Sequence, residues 1–116
     1  MKLHAKAEIT LFSSDKGGFK NPIVISPDPF RIIFLFPGYD TLIGGAILGV
    51  GVKELAPGTS QIVNLFFMYP NGVKQSLKKT SEFVICDPRK KGKGKILKTY
   101  PDFERDIKHL EEKGSL

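Results

Sequence analysis

Along residues 7–12 (A-E-I-T-L-F), Ala7, Ile9 and Leu11 alternate with Glu8 and Thr10, the period of a strand with one buried face. Residues 30–36 (F-R-I-I-F-L-F) are apolar almost throughout and rich in β-formers, which predicts a second strand. Residues 41–50 mix Leu42, Ile43, Ile47 and Leu48 with Gly44, Gly45 and Gly49, and glycines inside a strand mark a bulge, a bend or a close backbone approach. Residues 61–67 (Q-I-V-N-L-F-F), 82–86 (E-F-V-I-C) and 93–98 complete a set of six predicted strands. Between them lie turn formers. Residues 13–21 carry Asp15, Lys16, Gly17 and Gly18, and residues 22–29 hold three prolines that confine any pairing there to a sheet edge. Pro37-Gly38-Tyr39-Asp40, Pro57-Gly58 and Tyr69-Pro70-Asn71-Gly72 are predicted turns, and Asn71-Gly72 is the favoured pair for a type I′ hairpin. Asp87-Pro88 opens a basic turn predicted to run to Gly92. Six short strands separated by turn signals indicate an all-β barrel or sandwich.

The tail departs from that period. From Asp102, a predicted N-cap, to Lys113, the apolar residues Phe103, Ile107 and Leu110 recur at i, i+4 and i+7, with Gly114 in place to end a helix. A lone helix of this length is marginal in water, so its stripe is expected either to dock on the strands or to bind another protein. Residues 1–100 are thus read as the β domain and residues 101–116 as a helical tail.

Composition narrows the class. At 116 residues and 41% hydrophobic, the chain is one ordinary globular domain, too short for a nucleotide-driven motor or a two-domain dehydrogenase. The single cysteine, Cys86, forms no internal disulfide, and the N-terminal lysines are not followed by an apolar run. The apolar stretch 41–52 falls short of the ~20 residues of a membrane helix, so a soluble cytoplasmic location with no membrane partner is expected.

Charge changes the picture more. Nine basic residues and two acids lie between Lys74 and Lys98, a net of +7 against +6 for the whole chain. A concentrated basic stretch suggests a polyanionic partner, and the plainer reading is a solvated, solubilising hairpin.

Six landmarks in order carry a family resemblance over about residues 5–98: Ala7-Glu8 and its strand; Gly17-Gly18 leading to Asn21-Pro22; Pro29 before the aromatic strand 30–36; Glu54-Leu55-Ala56-Pro57-Gly58; Phe83-Val84-Ile85; and Gly92-Lys93-Gly94. In this order they resemble the C-terminal domain of translation elongation factor Tu. The resemblance implies a six-stranded antiparallel β-barrel, here followed by a C-terminal α-helix. It also implies contact with the T-arm of aminoacyl-tRNA through the last hairpin, and packing against a GTPase domain. The chain departs from the family at Phe19, where the family has arginine after Gly-Gly, and at Pro27-Asp28, in place of a tyrosine-arginine pair. The turn before Gly92 is shorter and rewritten as Arg89-Lys90-Lys91, and the helical tail is additional. The 116 residues hold no P-loop and no switch region, so GTP hydrolysis is not expected of this chain.

No catalytic set emerges. Cys86 follows a strand while His109 lies on the tail helix, and two histidines with one cysteine show no metal-ligand spacing. No cofactor or enzyme activity is expected. The candidate RNA-binding residues are Arg89, Lys90, Lys91, Lys93, Lys95 and Lys98, for a tRNA-like partner. Gly92 and Gly94 allow close backbone approach, and Tyr100 and Phe19 are candidate stacking rings. Six cations meeting phosphates imply a log-affinity against log-salt slope near about −5 on a duplex. The alternative is a protein-interaction module, binding a partner or a second copy through Phe103, Ile107 and Leu110 or through the barrel face that the family buries against its GTPase domain.

Overall fold

β1 (Ala5–Leu11) and β8 (Lys90–Thr99), the first and last strands, pair side by side and close a six-stranded antiparallel barrel. The computed structural model describes residues 2–38 and 42–114, with residues 110–114 as backbone only. Between β1 and β8 the chain forms β3 (Phe30–Leu35), β4 (Ile43–Gly49), β6 (Ser60–Phe67) and β7 (Glu82–Cys86), and the order around the barrel is β1-β6-β4-β3-β7-β8. Two short strands, β2 (Ile23–Val24) and β5 (Glu54–Leu55), pair outside it. The proline-flanked β2 therefore sits in a two-stranded ribbon, as its missing donors require.

Alternation sets what fills the barrel. Ala5, Ala7, Ile9 and Leu11 point in from β1, and Phe34, Val63, Leu65, Phe67, Phe83 and Ile85 meet them at the centre. The rings of Phe34, Phe36, Phe67 and Phe83 pack at centroid separations of 5.1–6.3 Å, within the range of edge and offset aromatic pairs. Glycines make room for them. A Cβ on Gly45 would lie 2.1 Å from the Phe66 carbonyl oxygen, and one on Gly94 would lie 2.3 Å from the Phe83 ring. The glycine-laced stretch is a strand with a close backbone approach, as its composition suggests.

The outward positions divide into two sectors. On β1, β8 and the start of β7 the cross-strand rows are Glu8–Lys95–Glu82 and Thr10–Lys93–Val84. On β3, β4 and the end of β6 the rows are Ile33–Gly44 and Arg31–Ala46–Phe66. The first sector is charged and the second is largely apolar.

Three local expectations are corrected. Tyr69-Pro70-Asn71-Gly72 is not a hairpin turn: Pro70 opens a helix, α1 (Pro70–Leu77). Proline at the first helical position has no donor to lose, and burial of Val73 and Ser76 against the barrel outweighs the Asn-Gly signal. The Ser76 hydroxyl donates to the Pro37 carbonyl oxygen at 2.7 Å. The basic turn is shorter than expected, because Cys86 already pairs with Lys90 and only Asp87, Pro88 and Arg89 turn the chain. The second helix, α2 (Pro101–Gly114), starts one residue before Asp102, so Asp102 lies in its first turn and Gly114 within it. Of the turn expected at residues 37–40, Tyr39 and Asp40 lie outside the described residues.

α2 is docked. Phe103 and Ile107 are each 2% exposed and belong to the same core cluster as the barrel interior. His4, 1% exposed, fixes the helix to the barrel. Its Nδ1 accepts from the Phe67 backbone N–H at 3.0 Å, so the ring proton sits on Nε2, which donates to Asp106 Oδ2 at 2.7 Å. Lys2 Nζ donates to the other oxygen of Asp106 at 2.9 Å. Burial alone would raise the Asp106 pKa, but the hydrogen bonds from His4 and Lys2 and the Lys2 charge outweigh it and hold the carboxyl below the usual carboxylate range. Among the described residues no helix is long and apolar enough to cross a membrane.

Candidate nucleic-acid interface

β8 is the element that displays the basic residues. Over its ten residues Gly92, Gly94 and Ile96 are buried, while Lys90, Lys93, Lys95 and Lys98 are exposed. A strand of this length extends roughly 30 Å, so the cations form a row along the barrel rather than a cluster. Two irregularities set which way they point. The β7 pairing shifts register between Ile85 and Cys86, leaving Lys91 as the extra residue, and the β1 pairing shifts so that Lys6 meets Lys98 while Ala7 meets Ile96. The second bulge leaves Leu97 unpaired and returns Lys98 to the outer face.

The tip of the hairpin does not stand alone. The Phe12 N–H donates to the Lys91 carbonyl oxygen at 2.9 Å, and Lys91 Nζ donates to the Gly17 carbonyl oxygen at 3.3 Å. These bonds lay the loop after β1 alongside the tip. Gly18 is buried in that loop, with no room for a side chain beside the Phe12 carbonyl. The exposed Lys16 and Lys20 are thereby carried to the same end of the barrel as Arg89, Lys90 and Lys91. Sequence reasoning did not join these two lysines to the hairpin, because pairing between the loop and the tip is long-range.

The six candidate RNA-binding residues thus fall into three groups. Arg89, Lys90 and Lys91 crowd the tip with Lys16 and Lys20. Lys93 stands between Thr10 and Val84, with no carboxylate in its cross-strand row. Lys95 stands between Glu8 and Glu82, so its charge is offset from both sides. Lys98 lies at the far end, its ammonium 5.3 Å from the Tyr100 ring centroid. The groove over these rows, about 490 Å³, is lined by Glu8, Thr10, Glu82, Lys93 and Lys95 with Gly94 at its floor.

Each candidate stacking ring has a lysine ammonium over it. Lys91 covers Phe19 at 5.5 Å, and Phe19 meets Phe30 edge-on at 6.0 Å. Tyr100 lies under Lys98 and donates from its hydroxyl to Asn64 Oδ1 at 2.7 Å. The outer side of β8 is therefore a row of exposed charges along one strand, and charges of this kind suit phosphates better than base edges.

The residues considered for protein interaction are placed differently. Phe103 and Ile107 are enclosed between α2 and the barrel, and the Leu110 side chain lies outside the described residues. Cys86 is buried, and burial pushes its thiol pKa up despite the nearby Lys90, so it is a protonated packing residue at neutral pH. Among the described residues no three His, Cys, Asp or Glu side chains come together as a metal site. No protein-family model matches the chain, and no curated protein sequence matches it.

Proposed function

We propose that the protein is a non-catalytic RNA-binding module, resembling the C-terminal domain of elongation factor Tu and acting in the cytoplasm on a tRNA-like partner. The observation that carries this reading is the outward row of cations on β8, joined at the hairpin tip by Lys16 and Lys20. Bulge geometry keeps the row on one face, and the buried Gly92 and Gly94 keep the opposite face flush with the core. The six-stranded antiparallel closure agrees with the barrel that the resemblance implies. Such a surface positions a phosphate backbone without selecting its sequence. The protein-binding alternative through Phe103 and Ile107 has no support from their placement, because both are buried.

The test is binding of labelled tRNA and of duplex DNA across about 50–200 mM salt. With the tip residues and Lys93 as the contacts, the slope of log affinity against log salt should lie near about −4 to −5.5, and tRNA should be preferred. Lys90→Glu, Lys91→Glu and Lys93→Glu together should abolish binding with the thermal midpoint preserved. Salt-independent binding, or none at low salt, would leave the hairpin as a solvated surface.

A further inference from the structure

Lys91 differs from the other cations of the hairpin tip in what its side chain touches. It is the extra residue that β8 carries opposite β7, between the Ile85–Gly92 and Cys86–Lys90 pairs, and a bulge of this kind re-aims a side chain. Its ammonium donates to the Gly17 carbonyl oxygen at 3.3 Å and stands 5.5 Å from the centroid of the Phe19 ring. Its backbone carbonyl accepts from the Phe12 N–H at 2.9 Å. All three contacts go to one segment, the loop that leads out of β1. Lys91 is half-buried, whereas Lys16, Lys20, Arg89 and Lys90 are exposed.

The loop is held in two ways along its length. At its near end the Ser13 carbonyl oxygen accepts from the N–H groups of Lys16 and Gly18, each at 3.0 Å, and closes one 3₁₀ turn over Ser14–Lys16. Beyond Gly18 the hold passes to Phe19, which packs against the core, meets Phe30 edge-on at 6.0 Å and lies under Lys91. Phe12 follows β1 and Phe30 begins β3, so the loop runs across the end of the barrel past β8 and β7, which lie between them. It carries Lys16 and Lys20 against a single acid, Asp15.

We infer that Lys91 is a positioning residue, a latch that holds this loop across the hairpin tip so that Lys16 and Lys20 meet the same polyanion as Arg89, Lys90 and Lys93, resting on the RNA-binding reading for what that polyanion is. Lys91 then counts for three charges in binding, its own and those of the two loop lysines, while Lys90 counts for one. Single ammonium contacts of these kinds are modest at a partly exposed site. That suits a hold which one substitution releases while the barrel stays folded.

Lys91→Ala and Lys90→Ala each remove one ammonium from the tip, and comparing them is the test. In the isotope-labelled free protein, Overhauser contacts between the Phe19 and Phe30 rings should fade in Lys91→Ala and persist in Lys90→Ala. With labelled tRNA across about 50–200 mM salt, Lys90→Ala should make the slope of log affinity against log salt shallower by about 0.7–0.9, and Lys91→Ala by about 2–2.7. Lys16→Ala with Lys20→Ala should flatten the wild-type slope by about 1.4–1.8 and add little in the Lys91→Ala background. Lys91→Arg, which keeps a donor and a cation over the ring, should preserve both the ring contacts and the slope. Unchanged Phe19–Phe30 contacts in Lys91→Ala would overturn the inference whatever the RNA does, and so would slopes in which Lys91 counts for one charge as Lys90 does. Absence of tRNA binding by the wild-type protein would instead overturn the RNA-binding reading, and the ring contacts in the free protein would still decide the latch.

Discussion

Single residues carry several of the tightest constraints in this fold, and Gly45 is the clearest. Its missing side chain lets β4 approach β6 so closely that an added methyl would overlap the Phe66 carbonyl and press on the Phe34 ring. Backbone cannot move aside as a flexible side chain can, so Gly45→Ala should lower stability by about 2–3 kcal/mol. Urea denaturation checks this as a reduced midpoint with an unchanged slope. Asp106 makes a different kind of contribution. A carboxyl with a folded-state pKa below its unfolded value stabilises the fold while both states are ionised. That contribution disappears as the pH falls through the ordinary value of 3.8 toward the lower folded one. Asp106→Asn should therefore cost about 1–2 kcal/mol at neutral pH, the scale of a charged hydrogen bond. The wild-type and variant urea midpoints should converge below about pH 3.8. A constant difference down to pH 2 would separate Asp106 from the stability of the α2 dock.

Among the elements, α2 is the one whose role the sequence left open between docking and display. Its i, i+4 spacing was legible, but the surface that receives it is assembled from His4, Phe67 and the open end of the barrel, residues remote along the chain. Phe103→Ala should therefore destabilise the whole domain by about 3–5 kcal/mol, as removal of a buried ring does. Circular dichroism and aromatic near-ultraviolet signals should fall in one transition at a lower temperature. Loss of helix signal with the barrel transition unmoved would mean that α2 is an appendage. The strands were legible because their period and turn residues are local properties: Ala7, Ile9 and Leu11 face inward as their alternation requires. α1 was not legible, because Asn71-Gly72 is a strong local hairpin signal and the burial that overrides it is tertiary. The start of β8 was hidden in the same way, since Arg89, Lys90 and Lys91 read as turn by composition while register places Lys90 opposite Cys86.

For the molecule as a whole, charge by sequence window and charge by surface differ. The window of residues 74–98 is strongly basic, yet Glu8 arrives from the other end of the chain to stand beside Lys95, with Glu82 on its other side. Register of a closed barrel is a non-local property, so no count along the chain finds that row. Lys95→Ala should accordingly weaken tRNA binding less than twofold, while Lys93→Ala, with no carboxylate in its row, should cost about 0.5–1 kcal/mol, a loss of two- to fivefold. Titrations of both variants at one fixed salt concentration decide the comparison, and equal losses would show that the carboxylates do not screen Lys95. The way the barrel closes has a consequence in time. β1 is synthesised well before its partner on one side, β8, since Ala5 is joined to Thr99. At roughly 5–20 residues per second, β1 spends on the order of 5–20 s with that edge unpaired. The nascent chain therefore carries a strand whose hydrogen-bonding edge stays open to other chains until β8 has emerged, and its alternating Lys6, Glu8 and Thr10 keep that waiting edge charged and polar.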